Sequence, residues 1–494
     1  MRYIIYCQGV IMKMPYLFKT KPFRHQEEIL DLSWKRKYYA LFMEMGLGKS
    51  KVIIDTIGKL KLEGEIDAAM IVAPKGVYDN WVKQEIPNHL PDEFERFVVR
   101  WQPSKSKAFQ DDMNKVVFEI MAGVKFFIIN VEAFSTLRGK KAAYFFLKQN
   151  PDNIMVIDES TTVKNRKAMR TKNLVELGKF AKYKRILTGS PVTKSPMDLF
   201  SQCQFLDPQA LGQSSYFTFQ NRYAIIQRKT FGGRSFNDIV GYRRLDELNA
   251  KLVSFSARTL KKDCLDLPDK IYIRRNVELT AQQAKVYEEM RRFALARLSK
   301  GELATTASIL TQLMRLQQIC CGYLESDEGR LEVLDNRRLD ELMNIIEETS
   351  GKVIIWCNYV YGIAEIKRRL SEVYGKDSVA TYYGETKQDD RQDIVQRFED
   401  PDSSLRFFVG QPKTGGYGIT LNQASTVVYY SNSYDLESRL QSEDRAHRIG
   451  QKKSVTYVDL ISPGTIDEKI VEALRNKINL ADQVLKEDTK NWLA

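Results

Sequence analysis

Histidine is scarce in this chain: there are three in 494 residues. The six cysteines, Cys7, Cys203, Cys264, Cys320, Cys321 and Cys357, include no C-x-x-C pair. A zinc site or a disulfide framework is therefore not expected, and a reducing intracellular compartment fits the cysteine usage best. No apolar run approaches the about eighteen residues that mark a membrane helix, so no membrane partner is expected. There is no low-complexity tract and no repeat of fixed period. The charge is not gathered into a tail either. Lys and Arg are spread along the chain, yet they outnumber Asp and Glu by 76 to 63, for a net charge of +13. That balance suits a basic soluble protein in general and, more pointedly, one with a polyanion partner such as nucleic acid. The start, "MRYIIYCQGVIMKM", has no small-residue cleavage site after it. It reads as an edge strand or lead-in over 1–20 rather than a signal peptide, with Met12 or Met14 as an alternative start.

What is present is a repeated alternation of short apolar runs and amphipathic stretches. "YYALFM" (38–43), "AAMIVA" (68–73), "KFFIIN" (125–130), "NIMVID" (153–158) and "KRILTG" (184–189) have the continuous apolar character of buried parallel strands. A second series begins near 352, with "KVIIWC" (352–357), "VATYY" (379–383), "LRFFVG" (405–410), "STVVYY" (425–430) and "SVTYVDLI" (454–461). Repeated βα units imply α/β architecture with parallel sheets covered on both faces. The pattern predicts a first α/β region over 21–260, with a helical insertion at about 195–255. A linker follows over 261–275, and a pair of amphipathic helices forms a protrusion over 276–335. A second α/β region spans 336–465 and a charged helix 466–494.

Three motifs carry chemistry. In "FMEMGLGKS" a strand runs into Gly46-Leu47-Gly48-Lys49-Ser50 and then an apolar helix. Glycines let backbone N–H groups approach an anion, a helix N-terminus favours negative charge, and Lys49 adds a positive one. Ser50 offers a hydroxyl to Mg²⁺. An ordinary glycine-rich turn is the competing explanation. In "IMVIDES" (154–160) an apolar run ends in Asp158-Glu159. Such a pair can hold Mg²⁺ and orient an attacking water, or it can simply cap the next element. The two motifs together, in one strand series, favour a nucleoside triphosphate site. In "QSEDRAHRIGQ" (441–451), Gln441, Arg445 and Arg448 are spaced to share one helical face, where two arginines can reach a γ-phosphate. The glycines of "KTGGYGITLN" (413–422), Gly418 among them, suggest backbone brought close to a ligand, or a merely structural loop.

In chain order these segments resemble the Swi/Snf family of superfamily-two helicases. The resemblance is carried by "FRHQ" (23–26), "MGLGKS" (45–50), "IVAPKGVYDNW" (71–81), "IDESTTVKN" (157–165), "LTGSPV" (187–192) and "RTLKKDCLDLPDK" (258–270). It continues in "VIIWCNY" (353–359), "YYGETKQDDRQDIVQRF" (382–398), "TGGYGITLN" and "QSEDRAHRIGQ", and covers most of residues 20–465. It implies two RecA-like parallel-sheet lobes in tandem with helical insertions, and DNA-dependent ATP hydrolysis with ATP and Mg²⁺ as cofactors. By the same resemblance Gln26 reads the base, and Gly46, Leu47, Gly48, Lys49, Ser50, Gly418 and Gln441 belong to the nucleotide site. Asp158 and Ser50 hold Mg²⁺, Glu159 orients water, and Arg445 and Arg448 complete the site. Lys75, Gly76, Lys164, Ser190, Asn358 and Lys413 are the expected grip on double-stranded DNA. A monomeric, bare motor is expected, of a size that suggests a bacterial or phage setting.

The chain departs from the family pattern at three places. Thr161 stands where the family has a histidine that helps couple hydrolysis to the "LTGSPV" segment. Gln411-Pro412 replaces a Ser-Thr pair, and Met43 replaces an acid. Four readings stay open: a double-stranded DNA translocase, a strand-separating DNA or RNA helicase, the motor subunit of a restriction or repair complex, and a nucleotide-gated DNA-binding protein with little turnover.

Overall fold

The computed structural model describes residues 4–7, 10–13, 15–75, 77–104, 106–120, 122–231, 234–299, 306–326, 328–415 and 419–485. Two compact units emerge, one built mainly from residues up to 265 and the other mainly from 266 onward.

The first unit is organised by a seven-stranded sheet. Its order is Ser256–Thr259, Tyr38–Met43, Tyr183–Leu187, Asn153–Asp158, Ala68–Ala73, Val124–Asn130 and Arg96–Arg100. Every neighbouring pair is parallel. The central strands are buried along their whole length, as their unbroken apolar sequences require. Tyr39, Leu41, Met43, Ile54, Ile57, Ile71 and Val156 share one core on a face of this sheet. Arg185 is fully buried on its strand, and its guanidinium donates to the carbonyls of Ser33 (2.7 Å) and Trp34 (3.1 Å). Those are the last carbonyls of the helix Arg24–Ser33, so a cation sits where the helix dipole favours one. Arg96–Arg100 is an edge strand whose apolar run, Phe97-Val98-Val99, is only three residues long between two arginines.

The second unit carries a six-stranded parallel sheet. Its order is Lys270–Asn276, Val455–Ile461, Ala424–Tyr429, Lys352–Trp356, Phe407–Gly410 and Val379–Tyr382. Apolar cores cover both faces. The helices Ala281–Ser299 and Thr306–Cys320 pack through Tyr287, Leu316 and Ile319 onto Ile466, Ile470 and Leu474 of the helix Ile466–Leu485. Arg338 is fully buried and pairs with Asp467, while donating to Tyr430 O (2.8 Å) and Ser462 Oγ (2.9 Å).

Two expectations need correction. The stretch 195–255 is not helical throughout. Besides the helices Asp198–Leu206, Tyr216–Tyr223 and Leu245–Val253 it contains a hairpin of Ala224–Phe231 with Arg234–Tyr242. The interlobe stretch is not a plain linker. Lys261–Cys264 is a short helix, and Lys270–Asn276 adds a strand to the second sheet. The stretch 1–20, expected as an edge strand or lead-in, holds a two-stranded antiparallel pair, Ile4–Cys7 with Val10–Lys13. No described helix is long and apolar enough to cross a membrane.

Candidate active site

Parallel βα topology brings the motifs together. Tyr38–Met43, Tyr183–Leu187, Asn153–Asp158 and Ala68–Ala73 lie side by side. Their carboxyl ends release, in that order, the glycine loop, Thr188, Glu159 and Pro74-Lys75, at the edge where open α/β sheets bind ligands.

The loop is shaped by Gly46 (φ +82°) and Gly48 (φ +78°), and Gly48 caps the helix Lys49–Leu62. A Cβ on Gly48 would sit 2.2 Å from Gln26 Nε2. Gln26 Nε2 donates to Leu47 O (3.0 Å) and its Oε1 accepts from Phe23 N (3.0 Å); His25 Nε2 also lies 3.0 Å from Leu47 O. The Gln26 amide therefore braces the loop in this structure. Lys49 is buried, its ammonium folded onto Met43 O (3.0 Å) and Glu44 O (3.4 Å). Ser50 follows in the first helical turn. Met43 is fully buried in the core, which explains an apolar residue at that position.

Asp158 and Glu159 are both buried. Burial pushes the Asp158 carboxyl up, while the Trp81 indole, which donates to Oδ2 (2.9 Å), and the charge of Lys49 pull it back. Glu159 N donates to Asp158 Oδ1 (3.0 Å). Glu159 takes a left-handed backbone, φ +47° and ψ +63°, rare for a residue with a side chain and concentrated at functional sites. Its Oε2 accepts from Thr188 Oγ1 (3.2 Å). Trp81 and Thr188 thus touch the two acids. Nothing in the sequence alone pairs them with those acids.

The DNA-contact candidates fall into three groups. Lys75 and Lys413 are exposed. Lys164, Ser190 and Asn358 are partly buried and engaged: Lys164 Nζ donates to Thr193 Oγ1 (2.7 Å), Ser190 N to Thr188 Oγ1 (3.1 Å), and Asn358 Nδ2 to Ser431 O (2.9 Å). Gly76 lies outside the described residues, as does Gly418 of the expected nucleotide site. Gln411 Nε2 donates to Asn358 O (3.1 Å), so the residue that replaces a hydroxyl ties two neighbouring strand ends together.

In the second unit the helix expected to carry Gln441, Arg445 and Arg448 on one face ends at Glu443. Arg445 and Arg448 follow in turns, closed by Gly450 (φ +101°) and by Gln451 Nε2 donating to Ala446 O, Asn422 O and Ala424 O. The two guanidiniums still converge: Arg445 Nη1 donates to Ile419 O (2.9 Å), and Arg448 Nη1 to Thr420 Oγ1 (2.9 Å) and Ile419 O (3.5 Å). Gln441 is buried, and its Oε1 has no hydrogen-bond donor among the described residues. The helix itself is anchored by Arg439, bidentate on Asp459, 2.8 Å from Glu443 Oε1 and stacked on the Tyr429 ring. Burial opposes the charge on Glu443, and Lys270 and Arg439 overcome it, holding the carboxyl below its ordinary range.

A family model described as the SNF2-related domain matches residues 25–323, and one described as the helicase conserved C-terminal domain matches residues 336–450. The chain belongs to the SNF2 family. Among the relatives of this SNF2 chain, "Probable ATP-dependent DNA helicase CHR12" of Arabidopsis thaliana is 27% identical over 90% of the chain and 40% of its own length. ATP-dependent helicase FUN30 of Saccharomyces cerevisiae is 24% identical over 94% of the chain and 46% of its own. The chain thus spans less than half the length of these relatives. A solved structure, the Sulfolobus solfataricus SWI2/SNF2 ATPase core in complex with dsDNA, is similar with a TM-score of 0.42 at 24% identity, over 96% of this chain and 95% of that one. The SNF2 chain has the α/β architecture of its family, two parallel-sheet lobes in tandem.

Proposed function

We propose that this chain hydrolyses ATP to drive movement along double-stranded DNA. The reading rests chiefly on the Asp158-Glu159 pair, buried beside the Gly46–Ser50 loop on a shared sheet edge. The residues suit Mg²⁺-ATP. Asp158 and Ser50 offer hard oxygen donors, Lys49 a point charge, and the glycine loop with its helix a cradle for phosphate oxygens. When bound, Mg²⁺ neutralises charge on the phosphates. Lys49 and the loop N–H groups hold the phosphate chain, Glu159 orients the attacking water, and Arg445 and Arg448 supply charge to the γ-phosphate. Thr188, hydrogen-bonded to Glu159, holds that carboxylate in place. Lys75, Gly76, Lys164, Ser190, Asn358 and Lys413 meet the DNA backbone, which makes binding sequence-independent and salt-sensitive.

The test is steady-state ATP hydrolysis with and without duplex DNA, for the natural chain and for Glu159→Gln. Duplex DNA is expected to raise the rate several-fold, and the substitution to abolish it. Equal rates with and without DNA sink the reading. Release of a third strand from a triplex, with no unwinding of a plain duplex, separates a translocase from a strand-separating helicase. The same rates measured with single-stranded DNA and RNA decide the polymer.

A further inference from the structure

The family histidine that would tie the acid loop to the "LTGSPV" segment is Thr161 here, yet the two loops are tightly joined by other means. Ser160 is fully buried, and its hydroxyl donates to Gln202 Oε1 (2.7 Å). Gln202, also fully buried, donates through Nε2 to Pro191 O (2.9 Å) and to Asp198 O within its own helix (2.9 Å). One amide thus grips both loops.

The helix that carries it, Asp198–Leu206, makes a second set of contacts one turn earlier. Asp198 Oδ2 accepts from Thr193 N (3.0 Å), Lys194 N (2.7 Å) and Thr193 Oγ1 (3.3 Å). Thr193 Oγ1 in turn accepts from Lys164 Nζ (2.7 Å), and Ser201 Oγ donates to Lys164 O (3.3 Å). The same helix therefore holds Lys164, at one end of the segment 159–164, and Ser160, beside the water-orienting Glu159.

We infer that Gln202 is a positioning residue: by gripping Ser160 and Pro191 together it makes the two loops one body, so that DNA engaged at Lys164 is felt at Glu159. This inference rests on the motor reading above and adds to it the element that couples DNA to hydrolysis. Coupling between a charged group at Lys164 and Glu159 can be carried by packed and hydrogen-bonded groups that join the two, and this helix provides such a set. The Gln202 amide is hydrogen-bonded to Ser160, Pro191 and Asp198, none of them assigned to the nucleotide, so its loss should leave the unstimulated reaction in place.

The experiment compares Gln202→Met with the natural chain, full length, in ATP hydrolysis with and without saturating duplex DNA. The DNA-stimulated kcat is expected to fall by about fivefold or more. The rate without DNA and KM for ATP should stay within about twofold. A merely structural role would lower both rates together, and that outcome overturns the inference. If Gln202→Met does not fold, as judged by thermal melting, Ser160→Ala takes its place, because it leaves the Gln202–Pro191 bond intact. Undiminished stimulation in that variant also overturns the inference. If duplex DNA stimulates the natural chain and the variants equally, this coupling alone falls. If it does not stimulate the natural chain at all, the motor reading falls and takes the coupling with it.

Discussion

Gly48 is the residue on which the loop depends most. At φ +78° a side chain costs roughly 1–2 kcal/mol in backbone strain alone. A Cβ there also meets Gln26 Nε2 at 2.2 Å, so the amide that braces Leu47 O must leave. Gly48→Ala is therefore expected to weaken nucleotide binding by more than about tenfold, the equivalent of about 1.4 kcal/mol. Titration with a fluorescent ATP analogue measures this, and unchanged affinity would show that the loop tolerates an ordinary backbone. Trp81 is a second such position. Its indole N–H supports a buried carboxylate, and a hydrogen bond to a charged group contributes about 1.5–3 kcal/mol. Trp81→Phe keeps an aromatic ring, smaller than the indole, and drops the donor. It is expected to raise the Mg²⁺ concentration for half-maximal ATP hydrolysis by about tenfold. A Mg²⁺ titration with no shift would mean that the indole only fills space.

At the scale of elements, the segment 436–448 depends on one buried cation. Arg439 is paired with Asp459 and Glu443 and stacked on Tyr429, all out of solvent. Removing one member of such a network leaves an uncompensated buried charge and costs about 3–5 kcal/mol. Arg439→Ala is expected to lower the stability of the second unit by that amount in urea denaturation, while Lys469→Ala on the exposed face of Ile466–Leu485 changes it little. Equal effects would refute the anchoring role. The central strands were legible in the sequence because both of their faces are buried, which leaves continuous apolar runs such as "AAMIVA" and "NIMVID". The hairpin at 224–242 was not, because "AIIQRKTF" and "RSFNDIVGY" mix apolar and charged residues without a clean period. The helical face proposed for Arg445 and Arg448 failed for a local reason. Spacing by i, i+4, i+7 assumes the helix continues, whereas the Gln451 side chain and Gly450 close the chain in turns after Glu443. Side-chain links such as Glu159 to Thr188 and Ser160 to Gln202 join residues 29 and 42 apart in sequence. Periodicity and motif spacing contain no information about pairs of that kind.

At the scale of the whole molecule, the net charge of +13 bears on how DNA would be held. Charge spread along a chain adds a diffuse attraction, which salt screens over about 10 Å at 0.1 M. Direct phosphate contacts behave differently, because each releases condensed counterions and adds about 0.9 to the slope of log affinity against log salt on duplex DNA. The two sources are separable by substitution. Lys75 and Lys413 are exposed and sit just past strand ends in the first and second units, positions suited to a backbone grip. Lys469 is exposed on the helix Ile466–Leu485 and pairs with Glu472 at 3.1 Å, a surface ion pair of little consequence. Lys75→Gln and Lys413→Gln are each expected to lower the salt slope for duplex binding by about 0.9, and together by about 1.8. Lys469→Gln should change the slope far less and lower affinity only slightly, mostly at low salt, where the diffuse attraction is least screened. Fluorescence anisotropy with a labelled duplex across a salt series reads the slope directly. If all three substitutions lower affinity and slope alike and slightly, the chain is drawn to DNA by its overall charge, and neither Lys75 nor Lys413 touches a phosphate.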